Sequence, residues 1–263
     1  MKVYPKKSLG QNFLINNKIL KLIVNLGEIS SNDIILEVGP GLGNLTDKIL
    51  KKKPKKIIVV EKDKNLSTLL KRKFKNDVEV INEDILNFDH SFLFKKKIII
   101  FGNLPYNIST QILISWIKTN DLNNFCRKFI LMFQKEVADR ILSKYNSSNY
   151  GRLSVIANWK LDIKKIIDIK PNSFSPKPKI DSSLLFFSPK KNFLKIKNPK
   201  NLEKITRIFF SQRRKMIKKP FSQVFSNDIK IAKKLKIDLS LRPQNLTNNT
   251  YYELANEYEK LRS

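Results

Sequence analysis

Asn103-Leu104-Pro105-Tyr106 is the run richest in chemistry, and it directly follows the apolar run Ile98-Ile99-Ile100-Phe101. An amide oxygen and a backbone carbonyl at a strand end can both accept hydrogen bonds from an aromatic amine. Such an amine is a poor nucleophile because its lone pair is delocalised into the ring. Two acceptors on its hydrogens would aim the lone pair at an electrophilic methyl group and stabilise the positive charge that develops on nitrogen. Pro105 lacks an N–H and stiffens the loop, and Tyr106 offers a face for stacking an extruded base. The plainer alternative is a Pro-stiffened turn with a core Tyr. No general base is required, since the product ammonium is acidic enough to lose its proton to water. The chain has one His (His90) and one Cys (Cys126), which excludes a His-based triad, an internal disulfide and a Cys-cluster zinc site, so no metal is expected.

A second group of residues points to an adenosine-containing cofactor. Glu37-Val38-Gly39-Pro40-Gly41-Leu42-Gly43 follows the apolar run from Ile34, and glycines at Gly39 and Gly41 let a ligand approach the backbone closely. Glu61 ends the next apolar run, 22 residues beyond Gly39, where a carboxylate can take both ribose hydroxyls. Asp84 follows the third run and suits an adenine amino group, or equally a helix N-cap. A nicotinamide dinucleotide satisfies the same pattern, but no His or Cys supports dehydrogenase chemistry.

These residues need strands to carry them. Ile34–Val38, Ile57–Glu61, Val78–Ile81, Ile98–Phe101 and Phe129–Phe133 read as strands, with helices over Leu45–Lys52, Lys64–Phe74 and Ser109–Lys118. The alternation predicts an α/β fold with a mostly parallel, doubly wound sheet. Leu153–Trp159 and Ser182–Phe187 read as further strands that would close it as an antiparallel hairpin. Residues 189–200 are rich in Lys, Asn and Pro and read as a linker, so residues 1–188 form the first domain. Residues 201–263 read as a small helical domain, with helices over Leu202–Lys219, Asp228–Lys236 and Thr250–Leu261.

Lys and Arg number 52 against 23 Asp and Glu, a formal charge of +29, and a polyanion is the partner that relieves such self-repulsion. Lys is also abundant everywhere, which suggests a compositional bias. Arg213 and Arg214 stand out in a Lys-dominated chain. With Lys215 they end a segment from Arg207 that reads as a basic helix, and Arg forks suit phosphate and RNA shape. No run approaches the ~18–20 apolar residues of a membrane span, and the basic N-terminus lacks a signal-peptide core. The expectation is a soluble, cytoplasmic monomer with no membrane partner.

Several segments together resemble the ribosomal RNA adenine N6,N6-dimethyltransferases. They are Lys7-Ser8-Leu9-Gly10-Gln11-Asn12-Phe13-Leu14, the Gly39–Gly43 turn, Asn103–Tyr106, Gln134–Arg140, Pro171–Ser182 and Phe210–Lys215. The resemblance is closest to the type that acts on small-subunit rRNA. It implies a class I, Rossmann-like methyltransferase domain that uses S-adenosylmethionine and releases S-adenosylhomocysteine. The substrate would be two adjacent adenosines in the 3′-terminal hairpin of 16S rRNA in the immature 30S subunit. It further implies that Asn12 and Leu14 close over the cofactor, Gly39 lies against its methionine portion, Glu61 holds the ribose and Asp84 the adenine. Asn103 would serve both cofactor and target amine, Leu104 would give its carbonyl, and Tyr106 would stack on the target base. Phe174 would press the other face of that base, although in its own setting Phe174 reads as core packing. Asn82-Glu83-Asp84 stands where the family commonly has Gly-Asp. Two alternatives remain: a large-subunit adenine dimethyltransferase that confers macrolide resistance, and an RNA-binding assembly factor with little or no catalysis.

Overall fold

A computed structural model describes all residues except 1–4, 7–8, 90–95, 120–121, 227 and 263. Lys7, Ser8 and His90 therefore lie outside the described residues. The elements in chain order are β1 (Phe13–Leu14), α1 (Asn17–Gly27), β2 (Ile34–Val38), α2 (Asn44–Leu50), β3 (Lys56–Val60), α3 (Lys64–Phe74), β4 (Glu79–Ile81), β5 (Ile98–Asn103), α4 (Ser109–Lys118), α5 (Leu122–Phe125) and β6 (Cys126–Gln134). There follow α6 (Lys135–Leu142), α7 (Arg152–Lys160), β7 (Leu161–Ile169), β8 (Phe174–Ser175), β9 (Ser182–Pro189), α8 (Pro199–Phe210), α9 (Lys218–Phe225), α10 (Ile229–Lys234) and α11 (Asn248–Lys260).

The chain forms two compact units, one of residues 1–138 and 162–189 and the other of 139–161 and 190–263. The first holds a seven-stranded sheet in the order β4-β3-β2-β5-β6-β9-β7. β2 pairs in parallel with β3 and β5, β3 with β4 and β5 with β6, whereas β9 runs antiparallel to β6. Counted in chain order the strands read 3-2-1-4-5-7-6, so the last strand is inserted between the fifth and sixth. A dinucleotide-binding sheet runs 3-2-1-4-5-6, and the inserted strand departs from it. The central strands are continuous apolar runs because both faces are covered: Ile35, Leu36, Ile99, Ile100 and Phe101 are fully buried. Helix α3 forms where the sequence predicts it. The Asp63 carboxylate caps Asn65 and Leu66 N–H, and Leu66, Leu70 and Phe74 fall on one buried stripe. Strand order reverses between β2 and β5, so the crevice beyond their carboxyl ends lies between Gly39 and Asn103.

In the second unit α7, α8 and α11 pack together around an aromatic cluster of Tyr150, Phe209, Phe210 and Tyr251. The division differs from the contiguous one read from sequence, because residues 139–161 belong to the helical unit. Tyr150 Oη donates to Asn248, Tyr252 Oη to the Val155 carbonyl and Trp159 Nε1 to the Leu194 carbonyl, which ties that segment in.

Two further expectations are corrected. Leu153–Trp159 is helix, not strand, within α7: Leu153, Val155, Ile156, Ala157 and Trp159 are all buried, and an apolar run buried all round carries no period. β7 takes the strand position instead. Its Asp162, Lys164, Lys165 and Asp168 suit the edge of a sheet but mask the strand signal. The predicted helix Leu202–Lys219 breaks after Phe210, where Ser211 Oγ donates back to the Ile208 carbonyl, so Arg213, Arg214 and Lys215 lie in the following turn.

Candidate active site

A cleft of about 160 Å³ opens at the carboxyl ends of the parallel strands, lined by Asn12, Gly39, Gly41, Glu61, Asp84 and Asn103. Leu104 and Tyr106 line it too. Gly39 lies at φ 66° beside the end of β5, where a Cβ would make only ordinary contact, 3.5 Å from the Asn103 carbonyl oxygen. Gly41, at φ 57°, makes room for the Phe13 ring, which a Cβ would meet at 2.6 Å. Both positions need glycine, since the left-handed region strains any other residue.

Glu61 stands just beyond β3. Its carboxylate accepts from Gly41 N–H at 3.2 Å and from Asp63 N–H at 2.9 Å. Burial raises its pKa, while those two hydrogen bonds oppose the rise. Asp84 is held 2.7 Å from Lys62, whose ammonium keeps the carboxyl below its usual range. Asn82, the departure from the family pattern, donates its amide to the Glu61 and Lys62 carbonyls and so ties the ends of β3 and β4 together.

The N-terminal arm crosses the cleft and is fastened on both sides. β1 pairs with β8, Leu14 opposite Phe174, and Asn44 donates to the Leu14 carbonyl at 2.9 Å. Lys6 lies 2.8 Å from Asp63, and Gln11 donates to the same carboxylate. Burial tends to raise the Asp63 pKa, but hydrogen bonds from Lys6, Asn65, Gln11 and Leu66 outweigh it and hold the carboxyl below its usual range. Asn103 Nδ2 donates to the Asn12 carbonyl at 2.7 Å. The donor end of that amide is thus occupied by the arm, and the acceptor Oδ1 is left to the cleft. Tyr106 Oη lies 2.5 Å from Ser182 Oγ, which fixes the ring from its far end.

Leu14 lines a smaller hollow that shares Gly39 and Asn103 with the cleft. Phe174 is 1% exposed and belongs to the core with Ile130, Met132 and Leu184; it lines neither hollow. In the helical unit, Arg213 donates from Nη2 to the Ser147 and Ser148 carbonyls and from Nε to Gln244, so part of its fork holds a turn. Arg214 and Lys215 are exposed. The residues missed from sequence are Gln11, Asp63 and Ser182, whose partners lie 52 and 76 residues away. Asp63 alone carried a local signal, as a cap two residues past Glu61. Among the described residues no group of three or more His, Cys, Asp or Glu is placed to hold a metal, and no helix is long and apolar enough to cross a membrane.

The inserted antiparallel strand, the glycine turn and the acidic residue after β3 define a Rossmann-like methyltransferase. A sequence profile described as Ribosomal RNA adenine dimethylase matches residues 4–260. The chain is 61% identical, over the full length of both, to the Ribosomal RNA small subunit methyltransferase A of Pelagibacter ubique (strain HTCC1062). Identity to the protein of the same name from Ehrlichia ruminantium (strain Gardel) is 40%, covering 97% of each chain. Among solved structures, a dimethyladenosine transferase from Plasmodium falciparum superposes with a TM-score of 0.78 at 28% identity, covering 94% of this chain and 98% of that one. The 23S rRNA methyltransferase ErmE shares the fold, with a TM-score of 0.69 at 19% identity over 94% of this chain and all of that one. This chain belongs to the ribosomal RNA adenine dimethylase family. Its cofactor is S-adenosylmethionine, which supplies an electrophilic methyl group when bound. The cleft suits that molecule: the Gly39 and Gly41 backbone lines it without side chains, and the Glu61 and Asp84 carboxylates are poised as acceptors.

Proposed function

We propose that the protein dimethylates the N6 amines of two adjacent adenosines in the 3′-terminal hairpin of 16S rRNA during small-subunit assembly. The observation that carries the chemistry is the Asn103 amide, whose Nδ2 is engaged by the Asn12 carbonyl so that Oδ1 is left to accept from the target amine. The small-subunit target is supported by the relative 61% identical from end to end, which is named a small-subunit rRNA methyltransferase. In this reading Glu61 takes the ribose hydroxyls and Asp84 the adenine amino group of the cofactor. Gly39 borders its methionine portion, and Asn12 and Leu14 cover it. Asn103 Oδ1 and the Leu104 carbonyl hold the target amine while its lone pair points at the methyl group. They stabilise the cationic nitrogen, which then loses its proton to water. Tyr106 stacks on the base. The second stacking face expected of Phe174 is not carried forward, because that ring is buried in the core. Arg214 and Lys215, together with the general positive charge, meet RNA phosphates. The enzyme acts as a cytoplasmic monomer on the immature 30S subunit and has no membrane partner.

The test is incubation of the purified protein with radiolabelled S-adenosylmethionine and undermethylated small subunits, followed by nucleoside analysis. Labelled N6,N6-dimethyladenosine confined to the 3′ hairpin is expected. Label in large-subunit RNA instead would move the assignment to the resistance-type reaction. Absence of label in both would favour an assembly factor.

A further inference from the structure

Beside the cofactor cleft lies a second, wider hollow of about 680 Å³, lined by Asn12, Tyr106, Gln134, Lys177 and Lys179 among others. It shares Asn12 and Tyr106 with the cleft, so it is the space into which a base stacked on Tyr106 would extend. Its polar groups are of two kinds. Lys177 and Lys179 are exposed cations on the Pro-rich segment, suited to phosphodiester oxygens. Gln134 is neutral and half-buried, and its side-chain amide makes no hydrogen bond within the protein. Neither atom of that amide is buried away from solvent, so both stay open to a ligand in the hollow.

The position of Gln134 is well defined. It is the last residue of β6 and sits directly opposite Ser182 in the antiparallel pair with β9. Residues opposite each other in such a pair project from the same face, with Cβ atoms ~4.5–5.5 Å apart. Ser182 is the residue whose hydroxyl holds the Tyr106 hydroxyl. The Gln134 amide therefore stands on the same face as the group that fixes the stacking ring.

We propose that Gln134 reads the target base, donating its amide N–H to a ring nitrogen of adenine next to the amino group. This rests on the reading that the hollow receives the target adenosine. Asn103 and Leu104 account for the amino hydrogens, so the acceptors left flanking the amine are N1 on the Watson–Crick edge and N7 on the Hoogsteen edge. Guanine carries a proton at N1 and an oxygen in place of the amine, so donation to N1 would reject it. Donation to N7 would fix the orientation of the ring.

The experiment uses the full-length protein with small subunits reconstituted from RNA whose target adenosine is adenosine, 1-deazaadenosine or 7-deazaadenosine. kcat/KM is measured for wild type, Gln134→Ala and Gln134→Glu, the last of which keeps the shape but removes the donor. Wild type should lose about tenfold on one of the two analogues, and which one identifies the ring nitrogen. Both variants should lose about tenfold on adenosine and show no further penalty on that analogue. A merely structural role would lower all three substrates together and leave the penalty intact. That result, or a wild type indifferent to both analogues, overturns the assignment of Gln134 while leaving the methylation reading standing. Failure of wild type to methylate the adenosine substrate overturns the methylation reading and Gln134 with it.

Discussion

Asn103→Ala is the substitution on which the site stands or falls. The Asn103 side chain makes one hydrogen bond within the protein, from Nδ2 to the Asn12 carbonyl at 2.7 Å, and offers Oδ1 to the reacting amine. Losing the first costs about 1 kcal/mol, as for an ordinary intramolecular hydrogen bond, and loosens the arm. This should weaken cofactor binding by about fivefold. Losing the second removes an acceptor from a nitrogen that becomes cationic, a bond worth about 1.5–3 kcal/mol. The freed amine also loses its alignment with the methyl group, and misplacement of about 1 Å alone can cost about a hundredfold. Together these predict a fall of about a thousandfold in the single-turnover rate. RNA affinity should change by less than about threefold, since the one RNA group Asn103 meets is the target amine, its bond strengthens only as that nitrogen becomes cationic, and affinity rests mainly on phosphate contacts. Rapid-quench methylation with labelled cofactor and filter binding of the subunit measure the two quantities on one preparation. A rate loss below about tenfold, or equal losses of rate and RNA binding in a folded variant, would refute the assignment of Oδ1 to the amine.

Other perturbations address other links in the argument. Glu37 is 2% exposed, accepts from Thr46 Oγ1 at 2.7 Å, and is pushed by burial from 4.5 up to about 7. A carboxyl with a raised folded pKa destabilises as pH rises from about 4.5 through about 7, by about 3 kcal/mol once fully ionised. Glu37→Gln should therefore gain up to that amount over wild type at pH 8 and almost nothing at pH 4, read by urea unfolding at both. Gly41→Ala meets both the Phe13 ring and a left-handed backbone, so it should lose about 2 kcal/mol or more of stability and weaken cofactor binding, measured by thermal unfolding and calorimetry. Asp63→Asn keeps the α3 cap but releases Lys6, a pair half open to solvent. Cofactor affinity should fall by up to about fivefold at low salt, with the difference vanishing at high salt. Arg214→Ala combined with Lys215→Ala should flatten the salt dependence of RNA binding by about one to two units of log–log slope, whereas Arg213→Ala should chiefly destabilise the helical unit.

What could be read from sequence follows from the range of the forces involved. The strands β2, β3, β5 and β6 were legible because a sheet covered on both faces writes unbroken apolar runs. α3 was legible from Lys64 to Phe74 because its cap and its stripe are both local. Cleft residues at strand ends followed from the strands. Leu153–Trp159 misled because full burial erases the period that separates helix from strand. Phe174 shows the converse: its motif sets it beside the target base, but pairing of β8 with β1 places it in the core. The Asp63 clasp on Gln11 and the hold of Ser182 on Tyr106 were invisible, because a polar pair separated by dozens of residues leaves no mark on either neighbourhood. The bonds from Arg213 to Ser147 and Ser148 were invisible for the same reason, since nothing near it in sequence reveals them.

The insertion of β9 between β6 and β7 bears on how the polypeptide is made. Phe129 of β6 waits for Phe187 of β9, and the chain between them must first supply α6, α7 and β7. At about 5–20 residues per second, β6 spends some seconds of synthesis with one apolar flank unpaired. Phe129-Ile130-Leu131-Met132-Phe133 is an uncharged stretch of the kind that recruits other strands, so this interval is the hazardous moment in the life of the protein. β7, with its lysines and aspartates, ends the sheet on a flank that repels such pairing. Slowing translation between residues 134 and 182 should therefore raise aggregation of the nascent chain more than slowing it after 189.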